Sequence, residues 1–194
     1  IGLILFVTSS LLYSQKHGLY IPKEIRDAYK NGTRSFDGKP GNKYWQNLVD
    51  YKINVSVDPD TKSLEGFETI IFYNESPDNL QQVILRLYQN VYKEGAVRGQ
   101  EVNPLNLTKG IEILELFVDG QKFGFGSKNQ LNLNNTNLSV NLNKPLKPKT
   151  SLEMVVKWKL QIPSIPDSRM GTYFDSAFFI GQWYPQVAVY DDIF

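Results

Sequence analysis

A strict alternation of apolar and polar residues begins at Val49 and constrains the fold of this chain more than any other feature. Val49, Tyr51, Ile53, Val55 and Val57 are separated by polar or charged side chains. Because successive side chains of a β-strand point to opposite faces, this two-residue period predicts a strand with one buried face. We therefore expect a β-sheet from this point of the chain onward.

Further strand-like segments follow at short intervals. A turn is predicted at 58–62, where Pro59 presets φ, and Asp119-Gly120 is typical of a two-residue hairpin turn. Pro145–Lys149 is predicted to interrupt the sheet. Strands are predicted at Val49–Val57, Leu64–Tyr73, Val83–Tyr88, Ile111–Val118, Lys122–Phe125, Leu131–Leu133, Leu138–Leu142 and Leu152–Ile162. Many short strands with almost no helical periodicity predict an all-β fold, either an antiparallel saddle-like sandwich or a curved sheet.

Two segments precede the predicted sheet. Residues 1–15 are uncharged and mostly apolar. As a helix, Ile1–Tyr13 would span about 20 Å, which is less than a bilayer core of about 30 Å. We therefore expect a signal peptide clipped at its start, no stable membrane span, and export to the periplasm, the cell surface or the medium. A buried N-terminal strand or helix is the alternative.

Residues 16–47 are polar and rich in turn-forming residues. Pro22 suits the first turn of a short helix, and Asn31-Gly32 suits its end. We expect a polar linker with one short helix here, followed at 48–194 by a β domain that is truncated at its C-terminal end.

Composition excludes several functions. Lysine and arginine are scattered and total 21 against 20 acidic residues, so the basic patch typical of nucleic-acid binding is missing. His17 is the only histidine, and cysteine is absent. A zinc site needs three or four ligands, and a Ser-His or Cys-His nucleophile needs partners that this sequence does not supply. We expect no catalytic residue, metal ligand or cofactor in this chain, and we interpret Asp58 with Asp60 and Asp191 with Asp192 as structural.

The C-terminal part of the chain is rich in aromatic residues. The segment Gly171–Pro185 contains six aromatic side chains and one uncharged amide, Gln182. One interpretation is a core strand with an aromatic corner. The other is a wall of a ligand site, because such sites are mostly apolar with a few placed polar groups.

Short motifs from Tyr44 to Phe194 carry a resemblance to a known family. They are Tyr44–Asn47, Asp50–Ile53, Asp58-Pro59, Leu64–Glu68, Asn74–Asp78, Leu85–Asn90, Pro145–Pro148, Gly181–Pro185 and Val189–Asp192. Their order and spacing resemble the opening of the aminopeptidase N family of zinc metallopeptidases, and more narrowly its secreted bacterial branch.

The resemblance implies a saddle-shaped β domain that precedes a thermolysin-like catalytic domain. In that family an His-Glu-x-x-His helix and a later Glu hold zinc, and the Glu of the motif activates the zinc-bound water. None of these residues is present here, so zinc is expected in a catalytic domain outside this chain. The family's β domain also contributes a Gln-x-Glu or Gln-x-Gln wall. Gln182 matches the first position, where its carbonyl would accept a bond from the ammonium of the substrate, and Tyr184 departs from the pattern at the second.

We therefore expect a non-catalytic N-terminal domain of an exported zinc aminopeptidase. Its partners would be its own catalytic domain and the N-terminal end of a peptide substrate, which Gln182 and Tyr184 would bind. An autonomous secreted β-sandwich module that binds carbohydrate or protein is the alternative. A third hypothesis keeps the family fold without peptidase chemistry, as a scaffold.

Overall fold

The computed structural model describes residues 20–126, 130–167, 169–174 and 176–192. Two compact units are distinguished, the first ending at Tyr44 and the second running from Trp45 to Asp192. The predicted signal peptide at 1–15 and His17 lie outside the described residues. In the described ranges, no helix combines the length and the apolar character needed to cross a membrane.

The first unit contains the helix that the sequence predicts. Helix α1 spans Lys23–Asn31, directly after Pro22. Gly32 ends it with a left-handed φ of 77°, a conformation that glycine adopts without a Cβ penalty. The rings of Tyr29 and Phe36 stack with centroids 4.1 Å apart. This short helix and its following turn form a small unit held by local contacts.

The second unit has an all-β, antiparallel, sandwich-like fold, as predicted. A five-stranded sheet has the order β1-β2-β8-β4-β5, a four-stranded sheet the order β11-β3-β7-β6, and β9 and β10 form a two-stranded sheet. Short 3-10 helices occupy Tyr88–Tyr92 and Pro104–Asn106. The strands are β1 Leu48–Asp58, β2 Ser63–Asn74, β3 Leu80–Arg86, β4 Ile111–Val118, β5 Gln121–Phe123, β6 Leu131–Asn134, β7 Asn137–Leu146, β8 Thr150–Gln161, β9 Met170–Tyr173, β10 Ala177–Ile180 and β11 Gln186–Val187.

The core lies between the inner faces of the two larger sheets. Strands β2 and β8 pair along their whole length, from Ser63 opposite Gln161 to Asn74 opposite Thr150. The alternation predicted for β8 is confirmed, because every second residue is buried, namely Leu152, Met154, Val156, Trp158 and Leu160. These side chains join one apolar cluster with residues of β3, β6 and β7. At about 25 cal/mol for each Å² of apolar surface, this burial is the main force that stabilises the domain.

Two predictions of strand boundaries were wrong. Strand β3 ends at Arg86 and is followed by a 3-10 helix, so Tyr88 is not in the sheet. The side chain of Asn90 ties that helix to other loops, because it donates to Asn135 O and accepts from Ile111 N. Pro145 does not interrupt the sheet either, since β7 continues to Leu146. It lies where the register with β3 shifts, and there a missing N–H removes no regular ladder bond.

Strand β1 is an edge strand, and its apolar face is only partly covered. Val49, Tyr51 and Ile53 are half-buried, in agreement with the alternation. Val55 and Val57 are 42% and 45% exposed. The inner face is therefore accessible at the far end of β1.

Candidate functional site

The segment Gly181–Pro185 contains both residues that the sequence predicts to bind substrate. It connects β10 to β11 and begins with a bond from Gly181 N to Arg169 O at 2.8 Å. Gln182 has a φ of 53°, in the left-handed region that residues with a Cβ rarely adopt. The contacts around this residue must hold it in that conformation.

Gln89 provides two of these contacts. Its side chain is 5% exposed, and its Nε2 donates to Gly181 O at 2.6 Å and to Gln182 O at 2.8 Å. Gln89 lies in the 3-10 helix after β3, far from position 182 in the sequence. One buried amide therefore fixes two consecutive carbonyl groups of the candidate site.

Arg169 holds the side chain of Gln182. Its Nη1 donates to Gln182 Oε1 at 2.8 Å, and both side chains are accessible to solvent. Arg169 also borders a cavity of about 320 Å³ that is lined in part by Tyr92, Arg98 and Asp167. Burial raises the pKa of the Tyr92 hydroxyl, and the nearby Asp167 carboxylate raises it further. Gln182 thus lies beside a polar cavity with charges of both signs.

Tyr184 belongs to a different group of contacts. Its ring meets the rings of Tyr51 and Trp183 edge-on, with centroids 5.5 Å and 5.0 Å away. The hydroxyl of Tyr51 accepts a bond from Val187 N at 2.9 Å. Burial raises the pKa of Tyr51 to about 12, which keeps the phenol neutral. Tyr184 therefore packs against Tyr51 of β1, whereas Gln182 is held by Arg169, which directly precedes β9, and by Gln89.

A buried carboxyl group lies on the inner face of the sheet near these aromatic residues. Glu68 is 0% exposed, and both of its carboxyl oxygens lack a hydrogen-bond partner among the described residues. It lies between Ile53 of β1 and Val156 of β8 in the sheet register. Burial raises the pKa of Glu68 from 4.5 to about 8. The group is therefore mainly protonated at neutral pH, because an unpaired charge is costly in an apolar core.

Trp158 connects the core to the candidate segment. Its indole ring lies over Gly66, where an added Cβ would be 2.1 Å from Cζ2. The rings of Trp158 and Trp183 have centroids 5.8 Å apart. Gly66 therefore leaves the space into which the Trp158 ring fits, and Trp183 packs against that ring.

The aspartates that the sequence offers as alternatives have other contacts. Asp58 Oδ1 accepts bonds from Asp60 N at 3.0 Å and Thr61 N at 3.2 Å, so the structural interpretation of Asp58 is confirmed. A hydrogen bond with the Thr61 side chain lowers the pKa of Asp58 most, and the backbone N–H groups of Thr61 and Asp60 lower it further. Asp191 and Asp192 follow Tyr190, and both make interactions of their own.

The described residues do not fit a zinc site. No group of three or more His, Cys, Asp or Glu side chains is close enough together to hold a metal ion in this part of the chain. Asp58 accepts from backbone N–H groups, Glu65 pairs with Lys157, and Glu68 lies in the apolar core without a hydrogen-bond partner among the described residues. No chemistry is assigned to a metal in this domain.

An apolar cavity of about 270 Å³ lies elsewhere, beside β3. It is lined in part by Phe72, Leu80, Ile84 and Tyr190. Gln182 and Tyr184 do not contribute to it. The two residues predicted from the sequence therefore lie outside this apolar cavity.

Sequence reasoning missed Gln89, Arg169 and Glu68. Glu68 had a detectable signal, because it occupies the buried phase of the alternation Leu64, Gly66, Ile70 in β2. Gln89 and Arg169 had none, because their roles depend on contacts across 92 and 13 sequence positions.

Comparisons with known proteins give structural similarity only. No protein-family model matches the chain, and no curated protein matches it. Among solved structures, the chain is similar to a mutant M1 zinc metallopeptidase of Deinococcus radiodurans bound to a Tyr-Ser-Ala substrate. The two share 14% sequence identity with a TM-score of 0.42, and the match covers 67% of this chain and 24% of that one. The M1 zinc metallopeptidase from the same organism gives 15% identity and a TM-score of 0.42 over 66% and 23%. The chain thus spans about a quarter of the length of these structures.

Proposed function

We propose that this chain is the non-catalytic N-terminal domain of an exported zinc aminopeptidase. It packs on the catalytic domain and lines the peptide-binding cleft with Gln182 and Tyr184. The observation that carries the proposal is that motifs far apart in the sequence, which together resemble the aminopeptidase N family, contact one another in the fold.

The first of these contacts joins the motif Tyr44–Asn47 to the motif Asn74–Asp78. The side-chain oxygen of Asn47 accepts bonds from Glu75 N at 2.8 Å and Ser76 N at 3.2 Å. These bonds join the two motifs in the folded domain, next to the start of β1 and the end of β2.

The second contact reaches the last motif. The ring of Trp45 stacks on that of Tyr190 with centroids 5.4 Å apart, and the Tyr190 hydroxyl donates to Asp78 Oδ2 at 2.9 Å. The beginning, middle and end of the motif set thus form one connected region.

The exposure of the candidate segment supports a role in binding. Gln182, Trp183 and Tyr184 are half-buried, and the amide of Gln182 is accessible. A half-buried aromatic wall with one oriented amide is the composition expected of a ligand site. Zinc and the catalytic residues would belong to the following domain, because the described residues of this chain do not fit a metal site.

Reading the coding sequence beyond Phe194 and assaying the full-length product tests the proposal. We expect an His-Glu-x-x-His motif, one zinc ion per chain and hydrolysis of an aminoacyl p-nitroanilide that a chelator abolishes. The 194-residue chain alone should neither hold zinc nor hydrolyse the reporter. An unrelated continuation, with the isolated chain behaving as a monodisperse, cooperatively melting monomer, would instead favour the autonomous binding module.

A further inference from the structure

We infer that Gln182, oriented by Arg169, donates a hydrogen bond to a carbonyl or carboxylate oxygen of a peptide. Arg169 is the positioning residue and Gln182 contacts the ligand. The setting of this pair in a peptide-binding cleft rests on the proposed function. The donor character itself follows from the local contacts.

Three hydrogen bonds, two at Gly181 and one at Gln182 itself, hold the unfavourable backbone conformation of Gln182. Its left-handed φ of 53° occurs together with two bonds from the buried Gln89 amide to the carbonyl groups of residues 181 and 182. The third bond runs from Gly181 N to Arg169 O. Strained residues persist when their surroundings over-determine them, and such positions concentrate at binding sites.

The orientation of the Gln182 amide follows from the chemistry of arginine. A guanidinium group has five N–H donors and no acceptor, so the amide must turn its oxygen toward Arg169. The bond of 2.8 Å from Nη1 to Oε1 is charge-assisted, which makes it stronger than a bond between neutral groups. The NH₂ group of Gln182 then points away from Arg169 and is available to a ligand.

The charge of Arg169 decides which ligand is preferred. A terminal ammonium that approached Gln182 Oε1 would come close to a guanidinium group that already occupies this oxygen, and like charges repel. A ligand oxygen is favoured instead, because it can accept a hydrogen bond from Gln182 Nε2 and is attracted by the positive charge of Arg169. The site therefore selects a carbonyl or carboxylate oxygen over an ammonium group.

The substitution Gln182→Glu in the full-length enzyme separates the two ligand types. It keeps an oxygen for Arg169 and replaces only the outward NH₂ by a second oxygen. We expect kcat/KM for a peptide to fall about ten-fold or more, as loss of a donor and repulsion of the acceptor predict. Binding of an ammonium would give the opposite result, an increase. The matched control Gln81→Glu places the same charge on an exposed position of β3 and should leave kcat/KM unchanged.

Substitutions at Arg169 test its positioning role. Arg169→Met should lower kcat/KM several-fold, because the amide of Gln182 loses its orientation, and Arg169→Lys should restore most of it by donating to the same oxygen. A purely structural role would lower the melting temperature of both variants without this rescue. An increase of kcat/KM in Arg169→Met would overturn the inference.

A binding measurement on the 194-residue chain does not depend on peptidase activity. We expect N-acetylglycine methylamide, which offers carbonyl groups, to shift the NMR signals of the Gln182 side-chain NH₂, and methylamine, which offers an ammonium and no carbonyl group, to leave them in place. A shift with N-acetylglycine but not with its methylamide would assign the site to carboxylates. A shift with methylamine alone, or with none of the probes, would refute the inference, whereas an inactive full-length chain with the expected shifts would refute only the proposed function.

Discussion

Replacing the buried acid of β2 by its neutral isostere should stabilise the domain at neutral and alkaline pH. The substitution is Glu68→Gln. The folded protein raises the pKa of this carboxyl from 4.5 to about 8, with burial as the cause. A raised pKa means that the contribution of Glu68 to stability is fully present below pH 4.5 and is lost as the pH rises toward 8.

The size of the expected stabilisation follows from the difference between the ordinary and the raised pKa of Glu68. At about 1.4 kcal/mol for each pH unit, the full loss between pH 4.5 and pH 8 is roughly 5 kcal/mol, and roughly 3 kcal/mol of it has occurred by pH 7. The glutamine amide resembles the protonated acid in size, and neither side chain has a partner in this core. We therefore expect similar stability for both proteins at pH 4, and a variant that is more stable by about 3–5 kcal/mol at pH 8.

Urea unfolding followed by tryptophan fluorescence from pH 4 to pH 9 measures this difference. Tyr51 faces the same region, but its pKa of about 12 lies outside the range. Glu65→Gln is the matched control, because this glutamate is exposed on the opposite face of β2 and pairs with Lys157 at 3.2 Å. An exposed pair contributes about 0–1 kcal/mol. Parallel stability curves for Glu68→Gln and the unchanged protein would refute the reasoning.

Three further substitutions test single contacts by their effect on the free energy of unfolding. Gly66→Ala should destabilise the domain by about 1–3 kcal/mol, because the new Cβ would lie 2.1 Å from the Trp158 ring. Asn90→Ala should cost roughly 2–4 kcal/mol, since it leaves the buried Ile111 N–H and the partly buried Asn135 carbonyl without their partner. Tyr51→Phe should cost about 0.5–1.5 kcal/mol and speed hydrogen exchange at Val187 N, whose acceptor it removes.

Two substitutions provide controls for this set. Gly99→Ala adds a Cβ with no atom within 4 Å, and Asn132→Ala removes an exposed amide, so both should change the free energy of unfolding by less than about 0.5 kcal/mol. If Gly66→Ala or Asn90→Ala were equally mild, the packing described for that residue would be wrong. Unchanged exchange at Val187 in Tyr51→Phe would show that another group protects this amide.

The strands were predictable where one face is buried along the whole element. The alternation of β8 from Leu152 to Leu160 coincides with its buried face, because β2 and β4 flank it on both sides. The same pattern overestimates the burial of β1, where Val55 and Val57 remain exposed. Alternation reports which side chains share a face, but the neighbouring strands and the opposite sheet decide how deeply that face is buried.

The candidate site was predictable only in part. Gln182 and Tyr184 stand out as polar groups in an aromatic segment, and the structure places them on one connection. Their neighbours Gln89 and Arg169 come from other parts of the chain, and a local pattern carries no information on such contacts. Whether Gln182 can donate or accept depends on Arg169, so the ligand chemistry of the site follows from tertiary structure alone.

The fit of Trp158 over Gly66 also determines how β2 and β8 can align. A slip of one residue would move every apolar side chain of β8 to the outer face. A slip of two would preserve the faces but would set the indole opposite Leu64 or Glu68, whose side chains occupy the space that Gly66 leaves open. The apolar alternation of β8 therefore rejects the one-residue slip, and the fit of Trp158 over Gly66 rejects the two-residue slips of the two longest strands. Together they select a single pairing of β2 with β8, which also sets the position of the Trp158 ring against which Trp183 packs.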